Sequence, residues 1–271
     1  MRIIIADGID TSHEHSEVSR QAARTLARWT GSEPEWVDWP AAMVGVGGAG
    51  SWVENAEIGL ADLRDKLSAD DDGLILISYS GGNRIVHDLV NQAAAAGDTV
   101  LLDRLRAIGF VSDPWRPAGQ RTPGTPDPGG YGLCGEDFGP IPERSVWCAA
   151  EGDASTAALP DAMLRTAADI GTHMDEKRLS GALDGIRTRL AAESFQLQGL
   201  YDGNPVRWLR DLFDRGAQLR GDVDRYYNGW HTDHYTRPFD GGPSLVERMC
   251  AELARRAGVP VPAAEIAAEP A

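Results

Sequence analysis

Leu74-Ile75-Leu76-Ile77-Ser78-Tyr79-Ser80-Gly81-Gly82-Asn83-Arg84-Ile85-Val86 is the stretch that decides the fold. Its leading apolar run, 74–77, reads as a strand buried on both faces. Small residues follow at once, and a helical pattern runs from Arg84 to about Ala95. A strand, a tight turn and a helix with a serine at the apex form a nucleophile elbow. The serine of such a turn is held in a strained conformation with no room for side chains around it. Gly81 and Gly82 supply small neighbours, and Ser78 stands where the G-x-S-x-G pattern has its first glycine. Ser80 is therefore the candidate nucleophile.

Outward from the elbow, strands and helices alternate. Residues 2–6 read as a first strand, followed by the loop Asp7-Gly8-Ile9-Asp10 and a helix that Ser16 or Ser19 begins. Trp36-Val37-Asp38-Trp39 reads as a short strand stopped by Pro40. Residues 51–67 read as a helix with Val53, Ile58, Leu60, Leu63 and Leu67 on its apolar side. Residues 105–111 and 145–149 read as further strands, and Ser244 caps a last helix. This alternation predicts an α/β fold with a mostly parallel sheet and helices on both faces.

Two stretches break the rhythm. Residues 115–142 hold a proline and glycine cluster, expected to be a functional loop or rim. Residues 159–228 carry only helical patterns. The predicted organisation is a core from 1–158 and 229–257, a helical insertion from 159–228, and a disordered Ala/Pro/Glu-rich tail from 258–271.

Composition narrows the function. The chain has 271 residues, 42% of them hydrophobic, enough for a large core. A net charge of −15 argues against nucleic acid or an anionic membrane as a partner. No stretch approaches a signal peptide or a transmembrane span, so a soluble, cytoplasmically made chain is expected, and separately a monomer. Cys134 and Cys148 flank a loop and are close enough in sequence to pair, though reduced thiols are the expectation in a cytosol. His13-Glu14-His15 is poorly arranged for a metal, and neither metal nor cofactor is expected.

A serine elbow needs an acid and a base, which follow it in that order in α/β-hydrolases. Asp153 follows the strand at 145–149 behind Gly152 and is favoured as the acid over Asp113. His231 and His234 share one loop and compete as base; spacing alone does not choose between them. His87 lies on the helix after Ser80 and His173 lies inside the insertion, so both are less suitable. The oxyanion hole is expected from the N–H groups of Gly81 and Ile9.

With these residues placed, the chain resembles the lysin B family of mycobacteriophages and related actinobacteriophages, itself similar to cutinases. Trp39-Pro40-Ala41 resembles the family's Tyr-Pro-Ala strand end, and 51–59 resembles its helix before the elbow. Ser78-Tyr79-Ser80-Gly81-Gly82 resembles Gly-Tyr-Ser-Gln-Gly, with Gly81 in place of glutamine expected to widen the pocket mouth. Ser112-Asp113-Pro114-Trp115-Arg116 resembles Gly-Asn-Pro-x-Arg, which implies a structural Asp113. Glu151-Gly152-Asp153 resembles the Asp-Gly-Asp that carries the acid, and the helical insertion resembles the family's linker region.

The resemblance implies a serine esterase without cofactors. Its substrate would be the ester joining mycolic acids to arabinogalactan in the actinobacterial envelope, reached after release from the host cytoplasm. It also selects His234 as base, because the family's histidine lies close to a tyrosine and Tyr235 follows. Within the insertion, Trp208 and Phe213 are expected to line a lipid-accommodating cleft. A general cutinase-like esterase and a catalytically dead envelope-binding protein are the alternatives.

Overall fold

The computed structural model describes residues 1–43, 46–70, 72–160, 162, 164–165, 221 and 226–262. Among these residues five strands form one parallel sheet: β1 (Arg2–Ala6), β2 (Glu35–Trp36), β3 (Leu74–Tyr79), β4 (Leu105–Val111) and β5 (Ser145–Cys148). Their spatial order is β2-β1-β3-β4-β5, so the elbow strand is central. Among the described residues the α-helices are α1 (Glu17–Thr30), α2 (Trp52–Ser68), α3 (Asn83–Ala96), α4 (Thr99–Arg104), α5 (Asp233–Thr236) and α6 (Leu245–Arg256).

The period of a strand sends alternate side chains to opposite faces. Ile3, Ile5, Ile75 and Ile77 enter a core with Leu26 of α1 and Met249 and Leu253 of α6. Ile4, Leu74 and Leu76 enter a second core with Leu60 and Leu63 of α2 and Ile85 and Leu89 of α3. Both faces are covered, which matches the unbroken apolar run 74–77 of β3. Each fully buried Ile or Leu contributes about 1.5–3 kcal/mol.

The helix starts follow local chemistry. Ser16 caps α1, and Ser51 and Ser244 each form a capping box, with Glu54 and Glu247. The apolar side of α2 differs from expectation: Trp52, Ala56, Leu60, Leu63 and Leu67 are buried while Ile58 is exposed. Gly59 lets this helix approach α3, since a Cβ there would press on Ile85 and Trp39.

The proline-rich loop is tied down by two arginines. Arg116 is fully buried and donates to the carbonyls of Thr156 at 2.8 Å, Gln120 at 2.9 Å and Gly130 at 3.0 Å. Arg165 donates to the Ala158 carbonyl at 2.7 Å and to Gly132 at 2.5 Å. Two guanidiniums thus satisfy carbonyls of this irregular loop that no regular secondary structure pairs. Thr122 donates to the Trp147 carbonyl at 2.8 Å, capping the edge strand β5.

Cys134 and Cys148 pack in different cores and form no disulfide. The tail does not begin at 258 as expected: Val259 and Val261 pack on the α1–α6 core, and Val259 N donates to the Ala254 carbonyl at 2.8 Å. Residues 263–271, and nearly all of the segment expected to be a helical insertion, lie outside the described residues. No helix among the described residues is long and apolar enough to cross a membrane.

Candidate active site

The site forms at the carboxyl edge of the parallel sheet, where such folds place their chemistry. Ser80 follows β3, Ser112 and Asp113 follow β4, Asp153 follows β5, and the loop Asp7–Ile9 follows β1.

Ser80 leaves β3 with φ +50°, a conformation that a non-glycine residue adopts only when its surroundings impose it. Asn83 helps impose it: its Nδ2 donates to the carbonyls of Ser80 at 2.8 Å and Val111 at 3.0 Å. Its Oδ1 accepts the Ser78 hydroxyl at 2.7 Å. That bond gives Ser78 a partner at the position where the elbow pattern has glycine. Gly82 must be glycine, because a Cβ there would collide with the carbonyl oxygens of Ala6 and Asp7. The elbow is therefore clamped against the end of β1.

The β1 loop reaches the serine. A Cβ added to Gly81 would lie 2.6 Å from the Ile9 side chain and 3.5 Å from its backbone nitrogen. Gly81 and Ile9, the two expected oxyanion donors, are thus neighbours beside Ser80. Gly81 does not widen the mouth of the site, because Ile9 fills the space beside it. Trp52 Nε1 donates to the Gly81 carbonyl at 3.0 Å, holding the turn from the other side.

His231 Nε2 lies 2.8 Å from Ser80 Oγ, and its Nδ1 lies 3.1 and 3.2 Å from the Asp153 carboxylate oxygens. His231, and not His234, occupies the position of the base. The cause is local. Gly229, at φ +85°, turns the chain just before His231, whereas His234 already belongs to α5 and its ring packs on Trp230 with centroids 4.3 Å apart. Burial and the Arg237 charge lower the pKa of His234, against the opposing charges of Asp233 and Asp153.

Asp153 is 1% exposed. Gly152, at φ +78°, makes the turn into it, and a Cβ there would strike the Trp230 ring. Burial alone would push the carboxyl up; the His231 charge and hydrogen bonds from His231, Ser112 and Tyr235 outweigh it and hold the pKa down. Ser155 N also donates to it, at 3.0 Å.

Asp113 and His87 form a separate buried pair, with His87 Nε2 3.0 Å from Asp113 Oδ2. Trp147 Nε1 and Trp115 N donate to the same carboxylate, both at 2.9 Å, and the His87 ring stacks on Phe110. That pair belongs to the α2–α3 core. His173, Trp208 and Phe213 lie outside the described residues.

Sequence reasoning missed three contributors. Tyr79, inside the elbow motif, donates to the His231 carbonyl at 2.8 Å and stacks on its ring. Ser112 and Tyr235 both donate to Asp153 Oδ2, at 2.5 and 2.6 Å. A serine at a strand end and a tyrosine beside a candidate histidine were the available signals.

A strained serine after the central strand, facing a buried histidine–aspartate pair at the carboxyl edge of a parallel sheet, defines the α/β-hydrolase arrangement. The chain is similar in fold to lysin B from Mycobacteriophage D29, with TM-score 0.50 and 17% identity over 94% of this chain and 98% of that one. The catalytic core of acetyl xylan esterase from Trichoderma reesei gives TM-score 0.46 and 15% identity over 69% and 97% of the two chains. A cutinase-like protein from Cryptococcus sp. gives TM-score 0.45 and 17% identity over 57% and 78%. Neither a family model nor a curated protein sequence matches the chain.

Proposed function

We propose that the protein is a serine esterase that hydrolyses lipid esters of the actinobacterial envelope, cleaving mycolic acid from arabinogalactan and so aiding phage release. The 2.8 Å approach of His231 Nε2 to Ser80 Oγ carries the esterase part of this reading. The envelope substrate is supported by the sequence resemblance set out above and by the fold shared with lysin B along 94% of the chain.

In this mechanism Ser80 Oγ attacks the ester carbonyl as His231 Nε2 takes its proton. Asp153 holds the Nδ1–H tautomer and stabilises the imidazolium. The oxyanion is met by the N–H groups of Gly81 and Ile9. His231 then returns the proton to the leaving sugar alcohol. A water, deprotonated by His231, attacks the acyl-serine; the fatty acid departs and Ser80 regains its proton.

Such a protein acts outside the compartment in which it is made, on an insoluble substrate and without a cofactor. The test is incubation with purified cell wall, followed by chromatography of the released lipid. Free mycolic acid from the wild type, and none from Ser80→Ala, supports the reading. Cleavage of p-nitrophenyl butyrate without mycolate release would make it a general cutinase-like esterase. Wall binding with no ester cleavage at all would make it a binding protein.

A further inference from the structure

We propose that Ser112 and Tyr235 are positioning residues for this ester hydrolysis, keeping the Asp153 carboxylate charged and turned edge-on to His231. The inference rests on the Ser80–His231–Asp153 reading above.

The geometry leaves the carboxylate little freedom. Its Oδ2 accepts Ser112 Oγ at 2.5 Å and Tyr235 Oη at 2.6 Å, while Oδ1 accepts Ser155 N at 3.0 Å. With each oxygen fixed from behind, both face His231 Nδ1 at nearly equal distance, 3.1 and 3.2 Å. Ser112 Oγ also lies 3.1 Å from Nδ1. Because it gives its own proton to Asp153, a lone pair is left toward the imidazole N–H.

The hydroxyls are themselves held. Tyr235 Oη accepts the Ala150 N–H at 3.2 Å, so its proton is directed at Asp153. Ser112 sits at φ +48°, with its N–H donated to the Cys148 carbonyl at 2.9 Å. Both side chains are completely buried. Filling this space does not require them: phenylalanine would replace Tyr235 by volume, and glycine would relieve the backbone strain at 112. Buried hydroxyls aimed at one carboxylate oxygen serve the charge on that carboxylate.

Other groups bear on Asp153. His231 favours its charged form, as do the hydrogen bonds from Ser112 and Tyr235. The Cys148 thiol of β5 and Tyr235 are themselves pushed up, by burial first and then by neighbours that include the Asp153 charge. His234 lies farther out and feels that charge, and the Arg116 guanidinium feels Tyr235. Losing a hydroxyl penalises the lone carboxylate more than the carboxylate paired with an imidazolium. The His231–Asp153 pair therefore binds its next proton more readily, and activity is lost at a higher pH.

The experiment is the pH profile of kcat/KM on p-nitrophenyl butyrate for wild type, Tyr235→Phe and Ser112→Ala. The fraction of Ser80 labelled by a fluorophosphonate at neutral pH counts competent sites. Expected in each variant are a fall in kcat of about 10–100-fold with little change in KM, and an acid limb moved up by about one pH unit. An acid limb that coincides with the wild type's, with or without a lower rate, overturns the proposal. Ser112→Ala decides the matter if Tyr235→Phe does not fold. A wild type whose Ser80 takes no fluorophosphonate would instead defeat the triad reading itself.

Discussion

Ser80 Oγ and His231 Nε2 meet at 2.8 Å although 151 residues separate them in the chain. Between them lies nearly all of the segment beyond the described residues, so the contact is a product of the tertiary fold. In the proposed mechanism it makes His231 the base. His231→Ala should lower kcat/KM by about 10⁴-fold or more. His234→Ala removes only a ring packed on Trp230 and should cost about tenfold or less. Steady-state kinetics on a short p-nitrophenyl ester separates the two; a dead His234→Ala beside an active His231→Ala reverses the assignment.

Asp153→Asn and Asp113→Asn should fail differently. An amide in place of the Asp153 carboxylate would favour the wrong imidazole tautomer, with a loss of about 10⁴-fold in kcat. Asp113 accepts the Trp147 indole N–H and the Trp115 backbone N–H and pairs with His87 in a core, so its replacement leaves a buried donor facing a donor. That should lower stability by about 1–3 kcal/mol while sparing the rate per folded molecule. Urea denaturation alongside kinetics checks both outcomes.

How much of this was legible in the sequence depends on how local each signal is. The elbow was readable because strand, glycines and helix lie within one short stretch, and Asp153 because Gly152 and β5 immediately precede it. The base was not. His231 and His234 differ only in where Gly229 turns the chain and where α5 begins, and Tyr235 beside them pointed to the wrong histidine. That tyrosine instead serves Asp153. Ser78 looked like a defect in the motif until Asn83, five residues on, supplied its partner. Ile58 misled because helical spacing alone does not reveal which stripe faces the sheet.

Gly82→Ala tests the clamp between the elbow and β1. The added methyl meets the carbonyl oxygens of Ala6 and Asp7, which are backbone and cannot turn aside. Overpacking of this kind costs about 1–3 kcal/mol. The same shift moves Gly81 away from Ile9, so kcat should fall with the urea midpoint. A variant with unchanged stability and rate would show that the elbow does not depend on this approach.

Asp153 makes a signed prediction for acid stability. Its folded pKa lies below its ordinary value, so its ionised form stabilises the fold. That contribution is fully present above the unfolded value of about 3.9 and is lost as the pH falls through the lower folded value. The urea midpoint of the wild type should therefore exceed that of Asp153→Asn near neutral pH, and the gap should close below about pH 4. A gap independent of pH would contradict a depressed Asp153.

The most direct measurement of the central claim is intact mass and peptide mapping after treatment with a fluorophosphonate. A working Ser80–His231–Asp153 triad predicts one adduct, on the peptide carrying Ser80, formed rapidly by the wild type and by His234→Ala but not by His231→Ala. An unlabelled wild type, or an adduct on any other residue, would contradict it.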